Sequence, residues 1–403
     1  VSGVLATGSL STNRKDIEYM NGISYLRRWQ APVTMLTQLY QTYESPSDEI
    51  IWSEDEPVPY QTQVNGAHLA ADTEITVDDA SPFVAGMRVR FVGPANAEVA
   101  LVTAVDEATN KLTVIRDYGQ AVEGWTSGNY ALGDNDYVQR LDAVYMQGHP
   151  LPEHVSTTPR ERKQYVGKIR TALGVTERVA LNRLNFDDNE LARLEMKNVE
   201  DHQVKIETAN IDGKPVKGTQ AIYSSTSGNV SPMASGGIDH YLSEAGNTDL
   251  LVDEAELTQF ELHDYYEKAF EFGSEAKLHV VPASFRTGLD RWGISKQQTF
   301  AEGTVIGMAV DTYKSSHGKI TYLTHRYMKA HASTHYNRTY VLDLQFLWHV
   351  ILAGGATKLQ KLDRYAATGA DLTEEELATY QCIIPKQPGK VHGRLRYKTM
   401  AAA

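Results

Sequence analysis

The sequence has a single cysteine, Cys382. A lone thiol closes no internal disulfide, and without a CxxC pair it builds no cysteine-type zinc site. Stability must come from packing. No apolar run approaches the ~20 residues that a bilayer-spanning helix needs, and the first residues lack the basic-then-apolar layout of a secretory signal. The expectation is a soluble, intracellular chain with no membrane partner. Positive charge is also short: 39 Lys and Arg stand against 51 Asp and Glu, for a net charge of −12. Such a chain repels phosphate at long range, which argues against sequence-specific nucleic-acid binding without forbidding a place beside DNA.

Catalytic signatures are missing as well. There is no GxSxG elbow and no GxGxxG after a strand. His331 and His335 in "HASTH" have the i, i+4 spacing of a metalloprotease helix, but Ala332 stands where that motif needs Glu. Their β-branched and aromatic surroundings favour a strand, so ordinary surface or interface histidines outweigh a metal-dependent hydrolase using His325, His331 and His335. "GGATKLQK" around Lys358 lacks phosphate-loop spacing and has no hydroxyl residue after the lysine. The acidic run Ser53 to Pro59 suits a solvated face, or a partner for basic residues of another subunit, better than a cation site. Asn229 and Asn337 begin N-x-S/T triplets, but without a secretory signal glycosylation has no warrant. No catalytic, cofactor or metal residue is therefore nominated, and no enzyme or cofactor is expected.

A hydrophobic fraction of 41% is that of a globular chain, and 403 residues suggest two or three lobes. The opening "VSGVLATGSLSTNRKDIEYMNG" is too polar to bury much surface alone. A helical start at "APVTMLTQLY" leads to strand-like "EIIW" and proline-punctuated extended chain. From Gly66 to Asp136 the texture changes to short alternating strands: "TEITVDD", "MRVRFVG", "EVALVTAVD" and "KLTVIRDYG". Five or six such strands in so few residues predict a small barrel or sandwich inserted as a module. Extended sequence returns in "RERKQYVGKIRTALGVTERVALN".

A long helix follows from Asp187, with Glu190 completing a capping box. Ala192, Met196, Val199 and Ile206 form a thin inward stripe, opposite charges such as Asp201 and Lys205 lie one turn apart, and the helix ends before "NIDGKP". A second helix in "LTQFELHDYYEKAFEFG" is capped by Thr258 and Glu261, turns Leu262, Tyr265, Tyr266, Ala269 and Phe270 inward and stops at Gly273. "KLHVVP" is a buried strand, with further strands in "TVIGMAVDTYKS", "GKITYLTHRYM" and "TYVLDLQFLWHVIL", and "QCIIPKQPGKVHGRLR" is extended. An arm, an extended hairpin carrying a module and a thinly apolar helix cannot stabilise themselves, which points to packing against other copies.

This order of segments resembles the major capsid proteins of tailed bacteriophages with the Hong Kong 97 fold, in the subgroup with a small β-module in the extended loop. "DEIIWSEDEPVPYQTQVNGA" resembles the strand into the module, "TEITVDDASPFVAGMRVRF" with "LTVIRDYGQ" the module, and "QYVGKIRTALGVTERVAL" the returning strand before the spine helix. "SPMASGGIDHYL", "ELTQFELHDYYEKAFEFGSEAKLHVVPASFR" and "RYAATGADLT" resemble successive parts of the central domain and its closing segment. Where the family module often carries an Arg-Gly-Tyr-Gly-Gly-Thr turn, this chain has Arg116-Asp117-Tyr118-Gly119-Gln120-Ala121.

The resemblance implies an α+β capsid fold. Its parts would be an N-terminal arm at 1–30, an extended loop at 31–65 and 137–182, and an inserted β-barrel at 66–136. A peripheral domain would take 183–225 and 320–403 with its spine helix at 187–208, and an axial domain 226–319. It implies hexamers and pentamers closing an icosahedral shell around double-stranded DNA, assembled in the host bacterial cytoplasm and located in the virion. The alternative is a bacterial nanocompartment enclosing a cargo enzyme. Partners would be other copies, decoration, portal or scaffolding proteins, and DNA held without sequence specificity against an acidic inner wall. Cys382 suits a buried thiol better than an intersubunit disulfide. Deleting residues 1–22 is expected to leave the body folded while lowering particle yield; wild-type yield and particle stability after the deletion would contradict that role.

Overall fold

The computed structural model describes residues 31–93, 97–119, 130–145, 147, 155–176, 190–218, 232–244, 250–293, 303–305, 308–328, 335–362 and 372–401. The arm at 1–30, the cap at Asp187, His331, Asn229 and most of "RYAATGADLT" lie outside them. The chain divides into two compact units, Val1–Trp52 with Arg162–Ala403, and the single insertion Ser53–Glu161.

The larger unit begins with α1 (Pro32–Tyr40), β1 (Thr42–Ser45) and β2 (Glu49–Glu54). Proline at the start of α1 costs nothing, because its missing N–H is one that no helix bonds internally. The insertion then contributes β3 (Gln61–Gln63), β4 (Glu74–Thr76), β5 (Met87–Val92), β6 (Ala97–Asp106), β7 (Lys111–Ile115) and β8 (Tyr137–Ala143). They form one sheet in the order β3-β8-β5-β6-β7-β4. Past its two end strands, Val64 and Val77 make an antiparallel bridge, supported by Asn65 N–H to Thr76 O and Asp78 N–H to Gln63 O, both 2.9 Å. This sheet takes in β3 and β8, both of which lie outside the 66–136 stretch marked by its strand pattern.

Period-two alternation sets the inner face of the insertion. Met87, Val89 and Phe91 of β5 are buried while Arg88, Arg90 and Val92 between them are not. One polar pair joins this core: Arg116 grips Glu98 with two bonds of 2.7 and 2.6 Å, both side chains 2% exposed. Glu98 also receives the N–H groups of Asp117 and Tyr130, and Arg116 donates to the carbonyls of Tyr130 and Asp72. The pair is thus fully hydrogen-bonded, the condition under which a buried charge pair is tolerated. Asp117 sits at φ 50°, so the position where the resembling motif has Gly here uses one of the few other residue types that accept left-handed backbone.

The larger unit resumes with β9 (Arg160–Tyr165), which pairs with β2, and β10 (Gly167–Thr176). Next come α2 (Glu190–Asp212), β11 (Val216–Lys217), β12 (Met233–Ala234), α3 (Ile238–Leu242), β13 (Leu251–Leu257), α4 (Gln259–Ala269), β14 (Ala276–Val281) and α5 (Ala283–Trp292). The remaining strands are β15 (Gly303–Val305), β16 (Met308–Lys314), β17 (Lys319–Thr324), β18 (Asn337–Leu342), β19 (Leu347–Leu352), β20 (Lys358–Leu362), β21 (Leu372–Pro385) and β22 (Gly393–Met400). One sheet runs β1-β19-β21-β10, with β20 also on β21, and β11 pairs with β12. The other has seven strands, β13-β22-β18-β14-β17-β16-β15. Three strands of 320–403 or its border, β17, β18 and β22, belong to this second sheet. A domain boundary at 319/320 would therefore cut β17 away from β14, to which it is paired in parallel over six residues.

Helices α4 and α5 cover one side of the seven-stranded sheet, where Tyr265, Phe285, Val281 and Leu395 share a core. Thr258 and Glu261 make a reciprocal capping box on α4, Leu262, Tyr265, Tyr266 and Ala269 are buried as their spacing predicts, and Phe270 is half-buried at the cap. Gly273 follows at φ 90°; a Cβ there would sit 2.8 Å from Asp343 Oδ2. A second core joins α1, the end of α2 and α3 to Leu278, Val280 and Leu342.

Helix α2 differs from its expected stripe. It buries His202, Ile206, Glu207, Asn210 and Ile211, whereas Met196 is 61% and Val199 43% exposed. The buried residues find polar partners that the spacing of apolar residues does not reveal. His202 bridges Thr171 of β10 and Thr379 of β21 at 3.0 and 2.7 Å. Asn210 donates to Thr34 Oγ1, so the helix continues past residue 208 and stops at Gly213, where a Cβ would meet Ala209 O at 2.3 Å. Glu207, 1% exposed, accepts the N–H groups of Val33 and Thr34 at 2.9 Å each, the Thr34 hydroxyl at 2.5 Å, and contacts His325 Nε2 at 3.0 Å. Replacing it orphans buried donors, each costing about 1–3 kcal/mol. Glu207→Ala should lower the stability of the unassembled subunit by about 3 kcal/mol or more in denaturant titration. Asp201→Ala, breaking only the exposed pair with Lys205, should cost under about 0.5 kcal/mol. Equal effects would remove Glu207 from its role.

Candidate functional site

The residues singled out by motif do not converge. His325 is buried against Glu207, whereas His335 is exposed, and His331 lies outside the described residues. No group of three or more His, Cys, Asp or Glu suited to a metal occurs among the described residues. Lys358 opens strand β20, paired to β21 at Ala378, after a turn with Gly354 at φ 74°. A phosphate loop needs a helix N-terminus at that point, and a strand offers none. In the acidic run, Glu54 is buried and Asp55 accepts a 2.6 Å bond from the Thr157 hydroxyl. Cys382 is fully buried in β21 among Val166, Val350 and Ile384, and burial pushes its thiol up to about 12. Such a thiol is inert toward exchange at neutral pH. Asn337 opens β18 opposite Tyr397.

Buried titratable groups lie instead on β14 and just before β22, with structural roles. His279 accepts or shares a 2.9 Å bond with the Tyr266 hydroxyl, which also meets that of Tyr322. Burial lowers His279 to about 3 and His392 to about 4. Lys277, lowered by burial to about 8, donates to the carbonyls of Phe272 and Val391. None of these faces a described opening in which a substrate would meet a nucleophile and a base together.

What the surface offers is contact area. On α1 and β1, Met35, Leu39, Tyr40 and Tyr43 are 40–66% exposed. Met196 and Val199 extend the apolar stripe of α2 beyond its buried half, and Phe260 on α4 is 82% exposed. Large apolar side chains left this open mark surfaces that meet other molecules when they are contiguous. Charge is divided unevenly. Ser53–Glu161 contains 17 Asp and Glu against 6 Lys and Arg, so it carries −11 of the chain's −12 and the rest of the chain carries −1. The acidity expected of a whole inner wall therefore belongs almost entirely to the insertion. That split was open to counting in the sequence once the unit's limits were known.

Among known proteins, the family model described as "SU10 major capsid protein" matches residues 6–396. No curated protein matches. A solved chain from the capsid of an empty GTA particle is 10% identical, with 100% of this chain and 99% of that chain covered and a TM-score of 0.46. One from Microbacterium phage Oxtober96 is 8% identical over 96% of each chain, with a TM-score of 0.44. One from the holo-SrpI encapsulin complex of Synechococcus elongatus is 10% identical, covering 60% of this chain and 78% of that one, with a TM-score of 0.42.

The buried histidines fix a pH response. Both have folded values below the ordinary 6.5, so the unfolded chain binds their protons first as pH falls. Their contribution is full above pH 6.5 and is lost as pH drops toward 4, by up to about 3 kcal/mol each. Urea midpoints of the unassembled subunit should fall across that window, and His279→Phe should flatten the slope; an unchanged slope would contradict the assignment.

Proposed function

The chain belongs to the SU10 major capsid protein family, and from that premise we propose that it builds a closed icosahedral shell of hexamers and pentamers around the double-stranded DNA of a tailed bacteriophage. The observation that carries this reading is the family match across residues 6–396. A capsid protein self-associates into a shell and resides in the virion. The finer parts follow from the Hong Kong 97 reading of the fold. The sheet β1-β19-β21-β10 with α2 upon it serves as the peripheral domain and α2 as its spine. The seven-stranded sheet with α4 and α5 serves as the axial domain. The paired strands β2 and β9 act as the extended loop, running into β10 at the edge of the peripheral sheet, and Ser53–Glu161 is the inserted barrel, whose end strands meet at the Val64–Val77 bridge.

In this reading the chain is structural and not an enzyme. Rings form by heterologous contacts, one surface of each copy on a different surface of the next. Many modest contacts from the arm at 1–30 and the extended loop add through multivalency. Decoration, portal and scaffolding proteins are accessory partners, assembly takes place in the host cytoplasm, and DNA meets the inner face without sequence specificity. A body that is nearly neutral neither binds nor strongly repels a packed polyanion, so the strong negative field belongs to the insertion.

Electron microscopy of the native material, with nuclease protection measured on the same fraction, tests the reading. Closed icosahedral particles holding protected DNA are expected. Shells holding an enzyme would mean a nanocompartment, and discrete monomers or dimers from the native source would overturn the proposal.

A further inference from the structure

The insertion is acidic overall, yet one of its faces is not. Alternation along β5 to β8 turns Arg88, Arg90 and Val92 outward, together with Val99 and Leu101 of β6, Ile115 of β7 and Tyr137 of β8. The register aligns them in rows. Ile115 lies opposite Leu101, which lies opposite Arg88, and Val99 lies opposite Arg90, which lies opposite Gln139; Tyr137 is opposite Val92. Ile115 is 50% and Tyr137 44% exposed. Within these rows the only described carboxylate is Asp142, which Arg88 holds with two 2.6 Å bonds. Two of the unit's six cations thus stand among aliphatic and aromatic side chains. Arginine amid apolar residues is the composition of an interface core.

The carboxylates gather elsewhere in the same unit. Asp106 and Glu107 form the β6–β7 turn, and Asp78 and Asp79 follow β4. Asn110 ties the two turns together, accepting the Val77 and Ala80 N–H groups at 2.9 and 3.3 Å. One unit therefore presents an arginine-aliphatic face and an acidic end, and these complement each other only between two copies.

We propose that the outer face of β5, β6, β7 and β8 docks the acidic turn end of the insertion of a second copy of this chain. The contact is heterologous, face to end, so it propagates around a ring or between rings. Complementary charge steers and orients such contacts and suppresses wrong pairings, and the apolar rows exclude water once it forms. The inference rests on the capsid reading, since copies must be brought together for the contact to repeat.

The test uses particles assembled from this chain alone. Ile115→Cys places a thiol on the face, and the buried Cys382 stays silent toward a hydrophilic maleimide, as the parent chain checks. Labelling of Ile115→Cys should be about tenfold or more slower in particles than in unassembled subunits, with the protection weakening at high salt. Arg88→Glu with Arg90→Glu should restore fast labelling, and adding Asp78→Lys and Asp79→Lys to that variant should restore protection. If the double reversal fails to fold, Arg90→Glu alone should give the same direction. Equal labelling in particles and subunits would overturn the proposal, as would protection indifferent to both charge sets. Protection only in particles that carry another protein would assign the face to that protein and overturn the second copy as occupant. If the parent chain alone forms no particle, the same labelling is done on particles from the native source carrying the same substitutions; absence of closed shells there would overturn the capsid reading, and this proposal with it.

Discussion

The larger unit depends on one buried carboxylate. Glu207, in the second half of α2, closes the N-terminus of α1, where the first N–H groups of any helix lack partners and the backbone dipoles favour negative charge. It also meets His325 at the end of β17, so three segments far apart in sequence share two oxygens. Around it, His202 links α2 to β10 and β21, and Asn210 returns to Thr34. These directional bonds fix the rotation and register of α2 in a way a greasy seam would not. They explain why a long helix in a well-packed unit can be charged on so many faces.

The division of charge has a comparable consequence for the assembled protein. A body at −1 can pack closely against copies of itself without strong self-repulsion, while the insertion at −11 repels its neighbours unless a cationic face receives it. In the proposed contact between insertions, the rows around Arg88 and Arg90 supply such a face. The buried Arg116–Glu98 pair keeps the insertion compact from within, holding residues 116–117 and 130 to the sheet. Fold and assembly thus use charge differently: paired and dry inside, segregated and open outside.

Local features were legible in the sequence. The Thr258–Glu261 box, the buried face of α4, the alternation of β5 and the strand of "KLHVVP" rest on short-range periodicity and side-chain capping, which a sequence displays directly. Helix α5 went unread although Pro282 and Gly293 bracket it, with Gly293 at φ 72° as a helix stop. That punctuation was a usable signal. The buried face of α2 was not legible, because its polar residues are satisfied by Thr34, Thr171, His325 and Thr379, none nearby in sequence. The place of β22 beside β13 was hidden for the same reason: residues 143 positions apart pair in parallel, Leu251 opposite Arg394 and Leu257 opposite Met400, and no local pattern announces it. The outward face of the insertion was written in the alternation, but its meaning needed the register that lines up Ile115, Leu101 and Arg88.

The central claim is that the Glu207 junction binds α1, α2 and the β17 corner into one cooperative body. Native-state hydrogen exchange of the Val33 and Thr34 amides in the unassembled subunit tests it most directly. The account predicts that both exchange only through global unfolding of that unit, with the same free energy and denaturant slope as the amides of β14. Exchange of Val33 and Thr34 through a low-energy local opening, while β14 stays protected, would contradict it.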